Sequence, residues 1–329
     1  MTMNEVLTRN EWYELYMRHR AVYRRKKPAN DFVRCFLNWC DKTYPDTPYL
    51  TQEMVNTWCT KRDTESPSSR GARVGALHTF LDYISERDGG SFQIDYVMQD
   101  RGRREPVMFT HEELSNFFRA LDEITTGEEY AHPASRRLAK MKALQLPVFF
   151  RLLYSSGIRP PEARWIRCAD VDLDKGVIYL RRTKGYNERL VALHPSMTEL
   201  LRQYDSMMDR ELPGREVFFP SVYAEYHNSA WVRYNFNRYW YKYNPRPPEG
   251  EREIVAYCFR HNYAVENIMN WEQDGYNADK RVVALSKSMG HVSIQATQYY
   301  FHLTPRFADL LERTEGASLD DIIPNISEQ

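Results

Sequence analysis

The chain lacks any apolar run of about eighteen residues, the least that a membrane-spanning helix needs. Its first residues, Met1-Thr2-Met3-Asn4-Glu5, hold no basic segment followed by an apolar one. Neither a membrane span nor a secretory signal is therefore expected, and the cytoplasm is the expected compartment. Cysteine is scarce: five residues (Cys35, Cys40, Cys59, Cys168 and Cys258), odd in number and without a C-x-x-C pair. That argues against a disulfide framework and against a structural zinc site. Net charge is also lacking, with 45 basic and 45 acidic residues, whereas domains that bind nucleic-acid phosphates are commonly basic. The balance hides an asymmetry, because the body of the chain is mildly basic and the segment after His302 is acidic. A nucleic-acid partner thus depends on where the cations sit on the surface. Internal repeats and low-complexity tracts are absent.

What is present is enough apolar material, 42% of 329 residues, to give each of two domains a core. The first third reads as helices. Trp12, Leu15, Tyr16, Val22 and Tyr23 recur at helical spacing before Pro28, and Phe32, Val33, Phe36, Leu37 and Cys40 do so before Pro45 and Pro48. Thr51 can cap a third helix holding Met54, Val55 and Trp58, and a fourth runs from about Ser69 to Arg87 with Val74, Leu77, Leu81 and Ile84 inward. Asp88-Gly89-Gly90-Ser91 ends this bundle, and the charged stretch around Arg101-Gly102-Arg103-Arg104 has the composition of a linker. A capping-box pattern, Thr110-His111-Glu112-Glu113, opens the second region, and a long helix from about Ser135 stops at Gly157. Pro160 and Pro161 suit the first turn of the next helix. Two β-rich segments, Gly176 to Leu180 and Glu188 to Leu193, predict a hairpin with Lys184 in its turn, and the rest is mostly helical: about 195–208, 229–241, 258–270 and 278–289.

Four settings carry the chemistry. Arg159 stands in Gly157-Ile158-Arg159-Pro160-Pro161-Glu162 and Arg260 in Tyr257-Cys258-Phe259-Arg260-His261; His291 follows Gly290, and Tyr300 follows Thr297-Gln298-Tyr299. A phosphodiester must take on further negative charge in its five-coordinate transition state. Guanidinium groups from separate parts of the chain can hold both non-bridging oxygens in a fixed fork. With a tyrosine nearby, this suggests a phosphate clamp with a phenolic nucleophile.

The order and surroundings of these residues resemble the tyrosine recombinase family, also called the phage integrase family, which cuts and rejoins DNA through a covalent phosphotyrosine. The resemblance spans most of the chain and implies a mainly α fold with a small β-sheet or hairpin, arranged as a two-domain C-shaped clamp. A helical core-binding domain is expected over 1–100, a linker over 101–106, a mixed α+β catalytic domain over 107–305, and a tail over 306–329 that docks on a neighbouring protomer through Leu319, Ile322, Ile323 and Ile326. Arg159, Lys184, Tyr257, Arg260, His291 and Tyr300 are the implied catalytic residues, with Glu162 supporting Arg159. Lys184, in Thr183-Lys184-Gly185, would protonate the departing 5′ oxygen; Lys175 is its only nearby competitor. Tyr299 is the rival of Tyr300, and register chooses Tyr300, which has His302 two residues on. The family motif His-x-x-Arg-His departs here, since Tyr257 replaces its first histidine. A phenol accepts a proton less readily than imidazole, so Tyr257 either keeps a positioning role or weakens acid–base catalysis. His261 reads as a helix-packing histidine.

The basic cluster Arg24, Arg25, Lys26 and Lys27, with Arg70 and Arg73 on the fourth helix, is the expected source of phosphate contacts in the first domain. The aromatic run Trp231 to Tyr243 reads as a packed helix with Arg233, Arg238 and Lys242 at its edge. The implied function is site-specific recombination through a 3′-phosphotyrosyl intermediate and a Holliday junction, with no cofactor, metal or ATP. The implied partners are double-stranded DNA carrying core sites, a homo-tetramer on synapsed DNA and an accessory or directionality factor, on the nucleoid and away from membranes. The short N-terminus leaves no room for the arm-site domain of some integrases. The alternatives are type IB topoisomerase-like relaxation and a catalytically weak DNA-binding regulator.

Overall fold

The computed structural model describes residues 7–22, 31–88, 91–95, 106–181, 188–249, 253–273, 278–291 and 293–301. The chain divides into two compact units, Met1–Arg104 and Glu105–Gln329.

Among the described residues of the first unit, the helices α1 (Arg9–Val22), α2 (Phe32–Thr43), α3 (Gln52–Cys59) and α4 (Pro67–Asp88) enclose one core. Their starts are set locally: the Asp31 carboxylate accepts from the Arg34 amide at 3.0 Å and the Thr51 hydroxyl from the Met54 amide at 3.3 Å. The inward faces meet through aromatic contacts, with Tyr16 on Phe80 at 5.2 Å and Phe36 on Trp58 at 5.4 Å between ring centroids.

The second unit begins with α5 (His111–Asp122), whose Thr110 and Glu113 form the reciprocal capping box. The helix α6 (Pro133–Ser156) ends at Gly157, which adopts the left-handed conformation at φ 61°, and α7 (Pro160–Arg164) follows at once with proline in its first turn. A three-stranded antiparallel sheet of order β1-β2-β3 comes next: β1 (Val171–Asp172), β2 (Val177–Leu180) and β3 (Arg189–Ala192). Ile178 opposite Val191 fixes the hairpin register and turns both side chains into the core. β1 adds a strand to the expected hairpin. The helices α8 (Pro195–Glu211), α9 (Ser229–Tyr243), α10 (Cys258–Gln273), α11 (Ala278–Met289) and α12 (Gln295–Phe301) follow among the described residues. On α9, Val232, Phe236 and Trp240 are buried while Lys242 reaches Glu123 at 2.6 Å on its outer side. Among the described residues no helix is long and apolar enough to cross a membrane.

α10 is the element that matters most for the site. Phe259 is fully buried against Phe109 and Phe117, at 5.2 and 5.7 Å, a contact contributing about 1.5–3 kcal/mol of transfer free energy. Asn262 on the same helix accepts from the Phe109 amide at 3.1 Å. Ring and amide lie on one face of the helix and both engage Phe109, which anchors the turn that carries Arg260 and His261.

Candidate active site

The site is assembled from the end of α6, the start of α7, β3, α10 and the α11–α12 corner. Arg159 is the N-cap residue of α7 and Glu162 its third helical residue, so the Glu162 carboxylate folds back to accept from the Arg159 amide at 2.9 Å and from its guanidinium at 2.8 Å. Arg189 from β3 closes on the same carboxylate in a fork, at 3.0 and 2.8 Å. Glu162 is only 3% exposed, lying between two guanidinium groups. Burial pushes its carboxyl up, but the hydrogen bonds and charge of Arg189, joined by Arg159, more than offset this and hold it below the usual range.

Backbone carbonyls hold the arginines from the other side. Arg260 is buried and donates to the carbonyls of Gly157 at 2.8 Å and Met289 at 2.6 Å, and Arg159 donates to the carbonyl of Gly290 at 3.1 Å. Both glycines are required by space as well as by backbone angle. A Cβ at Gly157 would lie 2.3 Å from the Tyr263 ring, and one at Gly290, whose φ is 64°, 2.7 Å from the Arg189 guanidinium. Burial and then the repulsion of Arg159 lower the pKa of Arg260 to about 10, which leaves it charged at neutral pH.

Tyr300 presents its hydroxyl 2.9 Å from His261 Nδ1. The ring is 5% exposed and packs among Met108, Ala264, Val265, Ile268, Leu285 and Met289. Burial raises its pKa to about 12, opposed by the positive charges of Arg260 and Arg159. His291 lies parallel to the Tyr300 ring, 6.2 Å between centroids, with its Nδ1 2.7 Å from the Thr297 hydroxyl. Burial and then the charges of Arg260, Arg159 and Arg189 depress its pKa to about 4, so at neutral pH it is an uncharged imidazole. Tyr257 stands at the rim, 41% exposed, and faces Arg159, whose charged form it favours after the larger effect of Glu162.

The structure therefore brings together Arg159, Glu162, Tyr257, Arg260, His291 and Tyr300, from a span of the chain running from α7 to α12. Lys184 lies outside the described residues, as do Arg24, Arg25, Lys26, Lys27, His302 and the tail. Arg70, half-buried, donates to the Cys59 carbonyl at 3.2 and 3.0 Å. Arg73 requires a correction. It is 2% exposed, forms a fork on Glu65 at 2.7 and 2.6 Å, and donates to the carbonyls of Trp58 and Thr60. Its donors are spent inside the bundle, so it is a core-locking residue and not a phosphate contact.

Two further residues belong to the site. Arg189 shares the inward face of β3 with Val191, and an arginine on the inward side of an alternating strand was the available signal. His261, expected as a packing histidine, also has its Nδ1 against the Tyr300 hydroxyl; the sequence offered only its position beside Arg260. Among the described residues no group of three or more histidine, cysteine, aspartate or glutamate side chains is placed to hold a metal ion.

Residues 109–306 match the family model described as the phage integrase family. The tyrosine recombinase XerC of Listeria monocytogenes serotype 4b is 23% identical over 280 residues, covering 83% of this chain and 84% of that one. Among solved structures, the XerH site-specific recombinase bound to a palindromic difH substrate superposes with a TM-score of 0.58 at 17% identity, over 95% of this chain and 86% of that one. The Tn1549 transposon integrase in complex with transposon right end DNA gives a TM-score of 0.59 at 14% identity, over 93% and 99%. At these identities the solved structures share the fold.

Proposed function

Since the chain belongs to the phage integrase family, the match covering residues 109–306, we propose that it is a site-specific DNA recombinase in which Tyr300 is the nucleophile. Its phenolic oxygen attacks the scissile phosphorus, giving a 3′-phosphotyrosyl bond and a free 5′ hydroxyl. That hydroxyl then attacks the partner strand, and two rounds of exchange pass through a four-way junction. The bond energy is kept in the phosphotyrosyl ester, so resealing requires no ATP.

The observation that carries this reading is the placement of one phenol within the field of two guanidinium groups that are themselves fixed by carbonyls and a buried carboxylate. Arg159 and Arg260 would take the non-bridging oxygens and stabilise the charge of the transition state. His291, being neutral, would donate from its second nitrogen to a phosphoryl oxygen. Lys184 would protonate the leaving 5′ oxygen. Glu162 and Arg189 position Arg159, and Tyr257 restrains it from the rim. The first unit, 1–100, would contribute phosphate contacts through Arg24, Arg25, Lys26, Lys27 and Arg70, joined by the linker 101–106 to the catalytic unit 107–305. The tail 306–329 would dock on a neighbouring protomer in a tetramer. Deleting 316–329 should leave DNA binding intact and impair synapsis; unaltered synapsis would reject that part.

The decisive experiment uses duplex DNA enriched for binding from a random-sequence library and converted to a nicked suicide form. Wild type should become covalently attached, Tyr300→Phe should not, and Tyr299→Phe should. Attachment that survives Tyr300→Phe, or none by the wild type, would refute the assignment. Junction formation on paired sites then separates a recombinase from a strand-relaxing enzyme.

A further inference from the structure

We infer that His261 is the group that takes the proton from the Tyr300 hydroxyl as it attacks phosphorus. The inference rests on the function proposed above and deepens it.

Three observations single out His261. The first is contact, because its Nδ1 is 2.9 Å from the phenolic oxygen, within the range in which a proton passes directly. The second is the lack of a better acceptor among the described groups around the phenol. His291 has its Nδ1 on the Thr297 hydroxyl. Glu162 has both oxygens taken by Arg159 and Arg189. Tyr257 offers a phenol that faces Arg159, and Tyr299 is a second phenol. Arg159 and Arg260 are cations and can only donate. The third is anchoring, since Phe259 and Asn262 both tie α10 to Phe109 and so hold the backbone of His261 beside the phenol.

The step balances. With its proton on Nε2, His261 uses the Nδ1 lone pair to accept the phenolic proton while the oxygen forms its bond to phosphorus. The bond from phosphorus to the 5′ oxygen breaks, and that oxygen takes a separate proton from Lys184. On resealing, the imidazolium returns its proton to the phenolate. Burial makes this service necessary, because a phenol held at about 12 leaves very little phenolate at neutral pH without an acceptor in contact.

The test is the rate of covalent attachment to the suicide duplex under single-turnover conditions, for wild type, His261→Asn and His261→Ala. Asparagine places an oxygen near the Nδ1 position and can accept the hydrogen bond but not the proton. DNA affinity should stay within about twofold, while attachment at pH 7 should fall about 100-fold or more, the usual worth of a positioned base. Between pH 6 and 9 the wild-type rate should level off. The His261→Asn rate should keep rising about tenfold per pH unit, because the phenol must then lose its proton to hydroxide. Added imidazole should restore His261→Ala in proportion to its neutral form; His261→Gln replaces His261→Asn if that variant does not fold. A variant rate within about threefold of wild type overturns the inference, as does a fall that keeps the wild-type pH profile and ignores imidazole. A rate increase also overturns it, making the hydrogen bond a restraint on the phenol. Absence of attachment by the wild type brings down the proposed function, and this inference with it.

Discussion

Changing Glu162 to glutamine tests whether the site is held by a buried charge balance. The carboxylate accepts two bonds from Arg189 and one from the Arg159 guanidinium, and the Arg189 side chain is only 8% exposed. An amide keeps the shape and one acceptor but removes the charge, leaving Arg159, Arg189 and Arg260 close together without an anion. Hydrogen bonds to charged groups contribute about 1.5–3 kcal/mol each, and removing one partner of a buried ion pair costs about 3–5 kcal/mol. The expected destabilisation of the catalytic unit is therefore about 3–5 kcal/mol. Arg189→Met, which removes the second buried charge while keeping an apolar stem, should be costly alone yet partly relieve Glu162→Gln, with a coupling energy of about 1–3 kcal/mol. The assay is urea unfolding of the full chain, with amide exchange of peptides spanning 157–166 and 188–193 to assign the loss to this unit. Glu162 has its folded pKa depressed below the ordinary 4.5, so its stabilisation is fully present above that value and is lost as pH falls through the folded one. Glu162→Gln should lack that acid-side loss. A destabilisation below about 1 kcal/mol, or strictly additive single changes, would refute the reasoning.

Gly290→Ala forces a side chain onto φ 64° and a Cβ to 2.7 Å from an Arg189 guanidinium that Glu162 and the Ser288 carbonyl already pin, so a cost of about 1–3 kcal/mol is expected in thermal unfolding, with a slower attachment rate. Arg73→Met should destabilise the first unit by about 3–5 kcal/mol, because Glu65 is left buried without its partner. It should leave the slope of DNA affinity against salt unchanged, as measured by fluorescence anisotropy; a slope lowered by about one unit would mean that a phosphate contact was lost. Tyr257→Phe removes a phenolic oxygen that faces Arg159 and should slow attachment by about threefold to tenfold, the worth of one ordinary hydrogen bond at the phosphate. A loss as large as that of Tyr300→Phe would make Tyr257 indispensable.

Local signals carried most of the helical architecture. The capping box at Thr110 and Glu113, the left-handed Gly157 and the proline pair after Arg159 each have a physical cause within a few residues, and the structure has the elements they announce. The two-residue strand β1 and the seven-residue helix α12 are too short to show a period, and both escaped a reading based on periodicity. The site was legible as a set of residue types in order, but not as contacts. Glu162 between two arginines and the phenol against His261 depend on segments 27 and 39 residues apart being brought together, and no spacing rule encodes that. Arg73 illustrates the opposite error. It shares an inward stripe of α4 with Leu77, Phe80 and Ile84, and that stripe outweighed the general association of arginine with phosphate.

Arg260 fastens to Gly157 and Met289, and Arg159 to Gly290, so the machinery closes only when the α11–α12 corner arrives. A polypeptide still leaving the ribosome with α6 through α10 folded carries both cations but neither their last anchors nor the phenol. Under the function proposed above, such a chain would hold its cations without a nucleophile, and strand breakage would become possible only once α12 is in place.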